Sequence, residues 1–356
     1  MIPVTKSFLP ELNEYTAYLE KIWRSGWLTN RGELTKDLES KLCAKLGINN
    51  LLLVNNGTIA LQIALKSLGI QGEIITTPFS YVATTSSIIW EGAKPIFADI
   101  NPNTFNISPN EIKKKITANT QAILATHVFG NPCEVEEIQK IADEFKLKVI
   151  YDAAHAFDVM INNVSLLNFG DISTLSFHAT KIFHTIEGGA IVAKDKDIFD
   201  KCLYMHNFGH DGPERFHGLG INGKISEFCS AMGLVNLEYF SKIKSNRQSI
   251  SLLYEKELRG YVKMQEIGKS TEYNFSYFPI VFESEEVLLK VLNCLNENQI
   301  FPRRYFYPSL NNLPYLDYQY CPNSESVAKS IICLPLYDSL TLEEAKKITK
   351  LIKLFL

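Results

Sequence analysis

Leu51-Leu-Leu-Val54-Asn55-Asn56-Gly57-Thr58-Ile59-Ala60-Leu61 runs from four apolar residues through a polar turn into a helical pattern. The apolar four read as a buried strand. Ile59, Ala60, Ile63, Ala64 and Leu68 then recur at helical spacing as far as Gly69. A strand that is apolar throughout and feeds directly into a helix is the opening half of a crossover unit. The same rhythm continues outward. Residues 72–79, 94–100, 122–128, 149–151, 173–177 and 190–193 read as further strands. Helical patterns separate them, over 82–90 and along the face of Ile138, Ile141, Ala142 and Phe145. The alternation predicts an α/β fold: a mainly parallel seven-stranded sheet lying between helices.

The rhythm stops near residue 235. A polar stretch over 238–257 reads as a long helix, 278–282 as a strand, 285–298 as a helix, 330–336 as a strand and 342–356 as a terminal helix. The expected organisation is a large domain over 1–235 and a smaller C-terminal α+β domain over 236–356, with residues 1–30 packing on the small domain.

Composition narrows the function classes. With 46% hydrophobic and 21% charged residues the chain is ordinary globular protein, so disorder and coiled coils are excluded. Thirty-six basic residues against 39 acidic ones give a net charge of −3, with no basic stripe of the kind nucleic acid requires. No apolar run approaches the roughly 20 residues of a membrane span, and the N-terminus has no signal-peptide pattern. The seven cysteines are dispersed and never form C-x-x-C, which argues against a disulfide framework or a zinc site. Free thiols of this kind suit a reducing, cytoplasmic setting. The expected partner is a small molecule.

Ligands of such sheets bind beyond the carboxyl ends of the strands, and three features stand there. Gly57-Thr58 opens a helix, where free N–H groups and a hydroxyl can hold an anion; the plain alternative is a capped helix. Asp152, in Asp152-Ala-Ala-His155, follows an apolar strand, and a shielded carboxylate needs a cation, either a basic side chain or a protonated heterocycle. Lys181, in Ser176-Phe-His-Ala-Thr-Lys181, follows another strand, where desolvation would help it lose a proton and form a Schiff base; taken singly, it is as readily a surface lysine. Together the three are the parts needed to hold pyridoxal phosphate. Two other patterns carry less. Gly218-Leu-Gly220-Ile-Asn-Gly223 matches the dinucleotide G-x-G-x-x-G spacing but follows no strand. His178, His184, His206, His210 and His217 lack metal-ligand spacing apart from His206/His210, so no metal is expected.

The motifs, taken in order, resemble the DegT/StrS-type nucleotide-sugar aminotransferases, fold-type-I pyridoxal phosphate enzymes. The likeness runs through Gly26-Trp-Leu-Thr29, Asn56-Gly-Thr58, Thr77-Pro-Phe-Ser-Tyr81, His127-Val-Phe-Gly-Asn-Pro132 and Asp152-Ala-Ala-His155, then through the Lys181 motif, Glu187-Gly-Gly-Ala190 and Gly220-Ile-Asn-Gly-Lys-Ile-Ser-Glu227. The resemblance implies catalytic roles for Lys181, as Schiff-base lysine and proton shuttle, and for Asp152, paired with the pyridinium nitrogen. His155 would sit near the ring hydroxyl and Tyr81 on the ring face. Gly57, Thr58 and Ser176 would bind the phosphate, with Asn222 reaching in from the partner of a homodimer. Tyr305, Tyr307 and His184 would contact substrate. One departure is Ala179, where many relatives carry proline.

Within the family the chain looks closest to members that use glutamate to aminate C4 of dTDP-4-keto-6-deoxy-D-glucose. Amination at a 3-keto position is the alternative. Relatives that dehydrate sugars replace the lysine with histidine, so Lys181 argues against that chemistry. A non-catalytic cofactor- or nucleotide-sugar-binding protein would have little need for the complete set.

Overall fold

The computed structural model describes residues 1–356. Seven strands form the central sheet: β1 (Leu51–Val54), β2 (Glu73–Thr76), β3 (Lys94–Phe97), β4 (Thr120–Thr126), β5 (Lys148–Asp152), β6 (Ile172–Ser176) and β7 (Gly189–Ala193). Their spatial order is β1-β7-β6-β5-β4-β2-β3. All neighbours are parallel except around β7, which runs antiparallel to both β1 and β6. That reversal follows from the short link between β6 and β7, which holds no crossover helix.

Each strand is apolar on both sides because each side has its own core. Leu51, Leu53, Ile123, Val149, Tyr151 and Leu175 belong to a 39-residue cluster under α1 (Leu12–Ser25), α2 (Glu33–Leu46) and the start of a long helix. Their neighbours Leu52, Val54, Ala122, Leu124, Ile150 and Ile172 point the other way, into a 19-residue cluster under α3 (Gly57–Ser67), α4 (Val82–Trp90) and a helix over Lys196–Met205. The remaining helices are α5 (Pro109–Lys115), α6 (Val135–Phe145), α7 (Lys196–Met205), α8 (Glu227–Leu258), α9 (Glu285–Glu297), α10 (Pro322–Ser330) and α11 (Leu342–Ile352). None is long and apolar enough to cross a membrane.

The 235/236 boundary falls inside α8, which is one continuous helix of 32 residues. Its first half (Ala231, Leu234, Phe240, Ile243) fills the 39-residue core. Its second half (Ile250, Tyr254, Leu258) joins a separate 17-residue core with α9, α11 and a small antiparallel sheet of β8 (Lys263–Met264), β9 (Pro279–Val281) and β10 (Ile331–Cys333). Residues 1–30 divide between the two cores. Ile2–Pro3 pairs with Ile300–Phe301 of the smaller one. Helix α1 instead lies on the first half of α8, where Trp23 packs edge-on against Phe228 at 5.8 Å and Ile22 enters the larger core. Glu227 locks this arrangement. Its buried carboxylate accepts the N–H groups of Leu34 at 2.8 Å and Thr35 at 3.2 Å, capping α2, whose own N-cap is Gly32.

A fourth cluster, of 11 residues, joins Phe79, Phe105, Val128 and Phe129 to Val281, Phe306, Ile331 and Cys333 across the seam between the two parts. It forms the floor behind the carboxyl ends of the strands.

Burial of imidazoles makes the fold acid-sensitive. His127, fully buried after β4, accepts the N–H of Cys133 at 3.1 Å through Nδ1, while its Nε2 has no partner. Burial lowers its pKa from 6.5 to about 3, and that of His206 to about 4. Both are bases with depressed pKa values, so the unfolded chain takes up protons first. Their contribution is complete above pH 6.5 and is lost as pH falls below it. Between pH 7 and pH 5 each histidine is expected to remove about 2 kcal/mol of stability. Urea midpoints measured across this range should fall, and His127→Gln should flatten the slope.

Candidate active site

The carboxyl ends of β5 and β6, the N-termini of α3 and α4 and a segment of the smaller part surround a cavity of about 360 Å³. Helix α3 begins at the turn after β1. Asn56 caps it by accepting the N–H of Ile59 at 2.9 Å, and no internal hydrogen bond uses the N–H groups of Gly57 and Thr58. Gly57 is required for a close approach: a Cβ there would come within 2.9 Å of Ser176 Cβ, at the end of β6. Two anion-binding elements, a helix N-terminus and the Ser176 hydroxyl, therefore meet at one wall of the cavity.

Asp152 ends β5, lines the same cavity and is 5% exposed. Its Oδ2 accepts from Thr84 Oγ1 at 2.7 Å and its Oδ1 from the Ala154 N–H at 3.1 Å; no basic side chain forms an ion pair with it. Burial raises its pKa, and the Thr84 and Ala154 hydrogen bonds and the charge of Lys181 pull it back. Thr84 is itself bonded to Ser80 at 2.7 Å, and Ser80 to Thr126 at 3.0 Å, so a chain of hydroxyls backs the carboxylate.

Lys181 lies in the loop between β6 and β7 and reaches the same cavity, with Nζ 3.4 Å from Tyr277 Oη. Burial lowers its pKa, opposed by Asp152, Tyr305 and Tyr81. His155 accepts the Phe129 N–H at 3.2 Å through Nδ1, which puts the ring hydrogen of the neutral form on Nε2. Its ring lies parallel to Phe306, 5.7 Å away, and burial holds its pKa well below the usual value.

Gly57, Thr58, Tyr81, Asp152, His155, Ser176, Lys181 and Tyr305 all line this cavity, and three expected residues do not. His184 is a buried structural group: Nδ1 accepts from the Ile186 N–H at 3.2 Å, leaving Nε2–H to donate to the Phe8 carbonyl at 2.8 Å. Tyr307 turns outward beneath Arg304, whose guanidinium carbon lies 3.6 Å above the ring. Asn222 is exposed, its Oδ1 accepting from Lys224 Nζ at 2.7 Å, and is not among the residues that line the cavity of its own chain. The glycine-rich 218–223 stretch is part of an irregular loop following α7, with no strand before it. Sequence reading gave no site role to Thr84, Tyr277, Arg303 or Phe306. Thr84 had a signal, lying one helical turn after Tyr81; Arg303 and Phe306 flank the expected Tyr305, and Tyr277 comes from a segment that carries no site signal.

The site accepts a flat heterocyclic phosphate on its own terms. One cavity brings together a buried carboxylate with no ion-pair partner, a hydroxyl and free N–H groups at a helix start, and a desolvated amine. Residues 11–353 match the model of the DegT/DnrJ/EryC1/StrS aminotransferase family. The chain belongs to the DegT/DnrJ/EryC1/StrS aminotransferases. As a member it is a pyridoxal-phosphate-dependent sugar aminotransferase. Among its relatives, a dTDP-4-amino-4,6-dideoxy-D-glucose transaminase of Shigella dysenteriae is 42% identical over 346 residues, 95% of this chain and 94% of the relative. A GDP-perosamine synthase of Vibrio cholerae is 32% identical, covering 99% of this chain and 98% of its own. The solved structure of DesI in the presence of its TDP-sugar product superposes with a TM-score of 0.94 at 28% identity, covering 99% of this chain and 92% of that one.

Proposed function

We propose that this chain moves the amino group of glutamate to C4 of dTDP-4-keto-6-deoxy-D-glucose, yielding dTDP-4-amino-4,6-dideoxyglucose, and works as a homodimer in the cytoplasm. The observation that carries the chemistry is the convergence of Lys181, Asp152 and the α3 N-terminus on one cavity. The choice of sugar rests on 42% identity to the Shigella transaminase across nearly the whole chain.

Pyridoxal phosphate, when bound, supplies an aldehyde carbon for the amino group and a ring that withdraws the electron pair of a broken C–H bond. Gly57, Thr58 and Ser176 would hold its phosphate through N–H and hydroxyl donors, and Tyr81 would cover the ring. Asp152 would pair with the ring nitrogen and keep it protonated, since the buried carboxylate is most stable beside a cation. His155, neutral, would offer its Nε2–H to the ring hydroxyl. Lys181 would hold the aldehyde and, as a free amine, would serve as the base. Burial shifts its pKa towards the neutral amine, which would take the proton from the α-carbon of glutamate. Tyr305, at the mouth, contacts the sugar.

Support for the dimer comes from the loop after α7. Phe208, Phe216, Leu219 and Ile221 are all exposed there, beside Asn222, which does not line the cavity of its own chain. Covering that apolar loop with a second copy would bring Asn222 of the partner subunit to the phosphate.

Purified protein given pyridoxal phosphate should turn yellow, and borohydride should fix the cofactor at Lys181, read from the peptide mass. With glutamate and a panel of dTDP- and GDP-linked 3-keto and 4-keto sugars, the dTDP-4-keto sugar should lead by at least about tenfold in kcat/KM. Preference for a 3-keto sugar would move the attacked carbon. A protein that stayed colourless and inert towards every sugar would overturn the enzyme reading, and a monomer in sedimentation would overturn the dimer.

A further inference from the structure

Lys181 Nζ has one side-chain partner, the hydroxyl of Tyr277, and Tyr277 makes no other hydrogen bond. The tyrosine arrives on a strap, residues 271–278, that leaves the smaller part and is pinned to the larger one. Thr271–Glu272 pairs antiparallel with Met160–Ile161. Tyr273 Oη donates to the Phe129 carbonyl at 2.6 Å. Asn274 Nδ2 donates to the carbonyls of His155 and Phe157, both at 2.8 Å, and Ser276 Oγ donates to the His155 carbonyl at 3.2 Å. From behind, buried Arg247 donates to the Ser276 carbonyl at 3.1 Å. The Tyr277 ring then stands edge-on to His155, with centroids 4.8 Å apart. The strap is thus fastened to the loop that carries His155, and one free hydroxyl at its end meets the lysine.

The geometry points to Tyr277 as a positioning residue that holds the Lys181 amine in the cavity in both of its protonation states. A phenol suits the task because its oxygen accepts from an ammonium and its O–H donates to a neutral amine. Burial raises the phenol pKa far from neutrality, so the hydroxyl keeps its proton while the lysine gains and loses one. The lysine stem otherwise has four rotatable bonds and freedom to leave the cavity whenever it is not tied to the cofactor. A rigid phenol removes that freedom, and with it the cost of re-aiming the amine at every proton transfer. This inference rests on the aminotransferase reading of the cavity.

The sign of the effect on Lys181 follows from the strengths of the two hydrogen bonds. Acceptance from the ammonium is charge-assisted and the stronger of the pair, so the hydroxyl favours the charged amine. Other groups facing Lys181 are Asp152 from β5, His155 from the loop after it, Tyr81 from the N-cap of α4 and Tyr305, whose ring lies 6.1 Å from that of Tyr277. At the rim, His178 and Glu187 lie 3.5 Å from each other, and Arg303 completes the charged lining. All of these stay in place in Tyr277→Phe.

In cofactor-free protein, Lys181 labelling by trinitrobenzenesulfonate, followed by peptide mass against pH, should show the midpoint of Tyr277→Phe about one pH unit below the parental one. With cofactor bound, kcat should fall about tenfold with both KM values nearly unchanged. Asn274→Ala, which loosens the strap but keeps the phenol, should give a partial loss in kcat and a smaller shift of the midpoint. Parental kcat together with an unmoved midpoint in Tyr277→Phe would overturn the assignment. If the parental protein proved neither to bind cofactor nor to transaminate while the midpoint still shifted, the enzyme reading would fail and the Tyr277–Lys181 contact would stand.

Discussion

Lys181→Ala should abolish transamination, lowering kcat on the order of 10⁴-fold, with the fold intact and pyridoxal phosphate still bound. Lys181 forms no ion pair, and its cationic form is penalised by burial, so removing it should not lower the melting temperature. Cofactor retention follows from the wall that Lys181 does not touch: the free N–H groups at the start of α3 and the Ser176 hydroxyl are unaltered. Borohydride should now fail to attach the cofactor, which should be released on denaturation. Lys181→Arg separates charge from proton transfer. Arginine keeps a cation in nearly the same place but does not deprotonate near neutral pH, so it should be as inactive as alanine. Activity within tenfold of parental in either variant would remove Lys181 from the chemistry.

The placement of Gly57, Asp152, Ser176 and Lys181 was legible because each stands beside the strand that delivers it. An apolar run, a polar turn and a helix signal are local facts, and the rule for parallel sheets converts them into a shared edge. The contacts that tie this edge to the rest of the chain are not local. His184 follows the Lys181 motif closely, yet what decides its place is the carbonyl of Phe8, 176 positions earlier. Tyr277 reaches the cavity because the 11-residue cluster joins the two cores, and nothing in its own segment marks a site.

The resemblance gave Tyr305 and Tyr307 the same role; Tyr305 lines the cavity, whereas Tyr307 lies under the Arg304 guanidinium and does not. The boundary at 235/236 was read from a change of rhythm in the sequence. Helix α8 crosses it without interruption because one helix can serve two cores with successive stretches of its length. Helices α1 and α2 escaped notice for a related reason. Glu227, at the head of α8, supplies the cap that Gly32 cannot, so the start signal of α2 lies 193 residues away in the sequence.

Asp152→Asn should keep the cofactor and lose on the order of 10³-fold in kcat. The amide is nearly isosteric, and the hydroxyl chain Thr126–Ser80–Thr84 can reverse its direction, since every member both donates and accepts. The packing therefore survives and only the charge is lost. That charge has two tasks. It keeps the ring nitrogen protonated, without which the ring is a poor acceptor of electrons. It also raises the pKa of Lys181, so the labelling midpoint of cofactor-free Asp152→Asn should move to lower pH than in the parental protein. Stability should move the other way. A buried carboxylate whose pKa is raised by desolvation opposes folding at neutral pH, and exchanging it for a neutral amide should leave the melting temperature at or above the parental value. Slow turnover, a lowered lysine midpoint and undiminished stability together would mark a residue kept for its charge at some expense to the fold. Parental turnover would show that the ring nitrogen needs no carboxylate here, and a marked fall in melting temperature would assign Asp152 to structure.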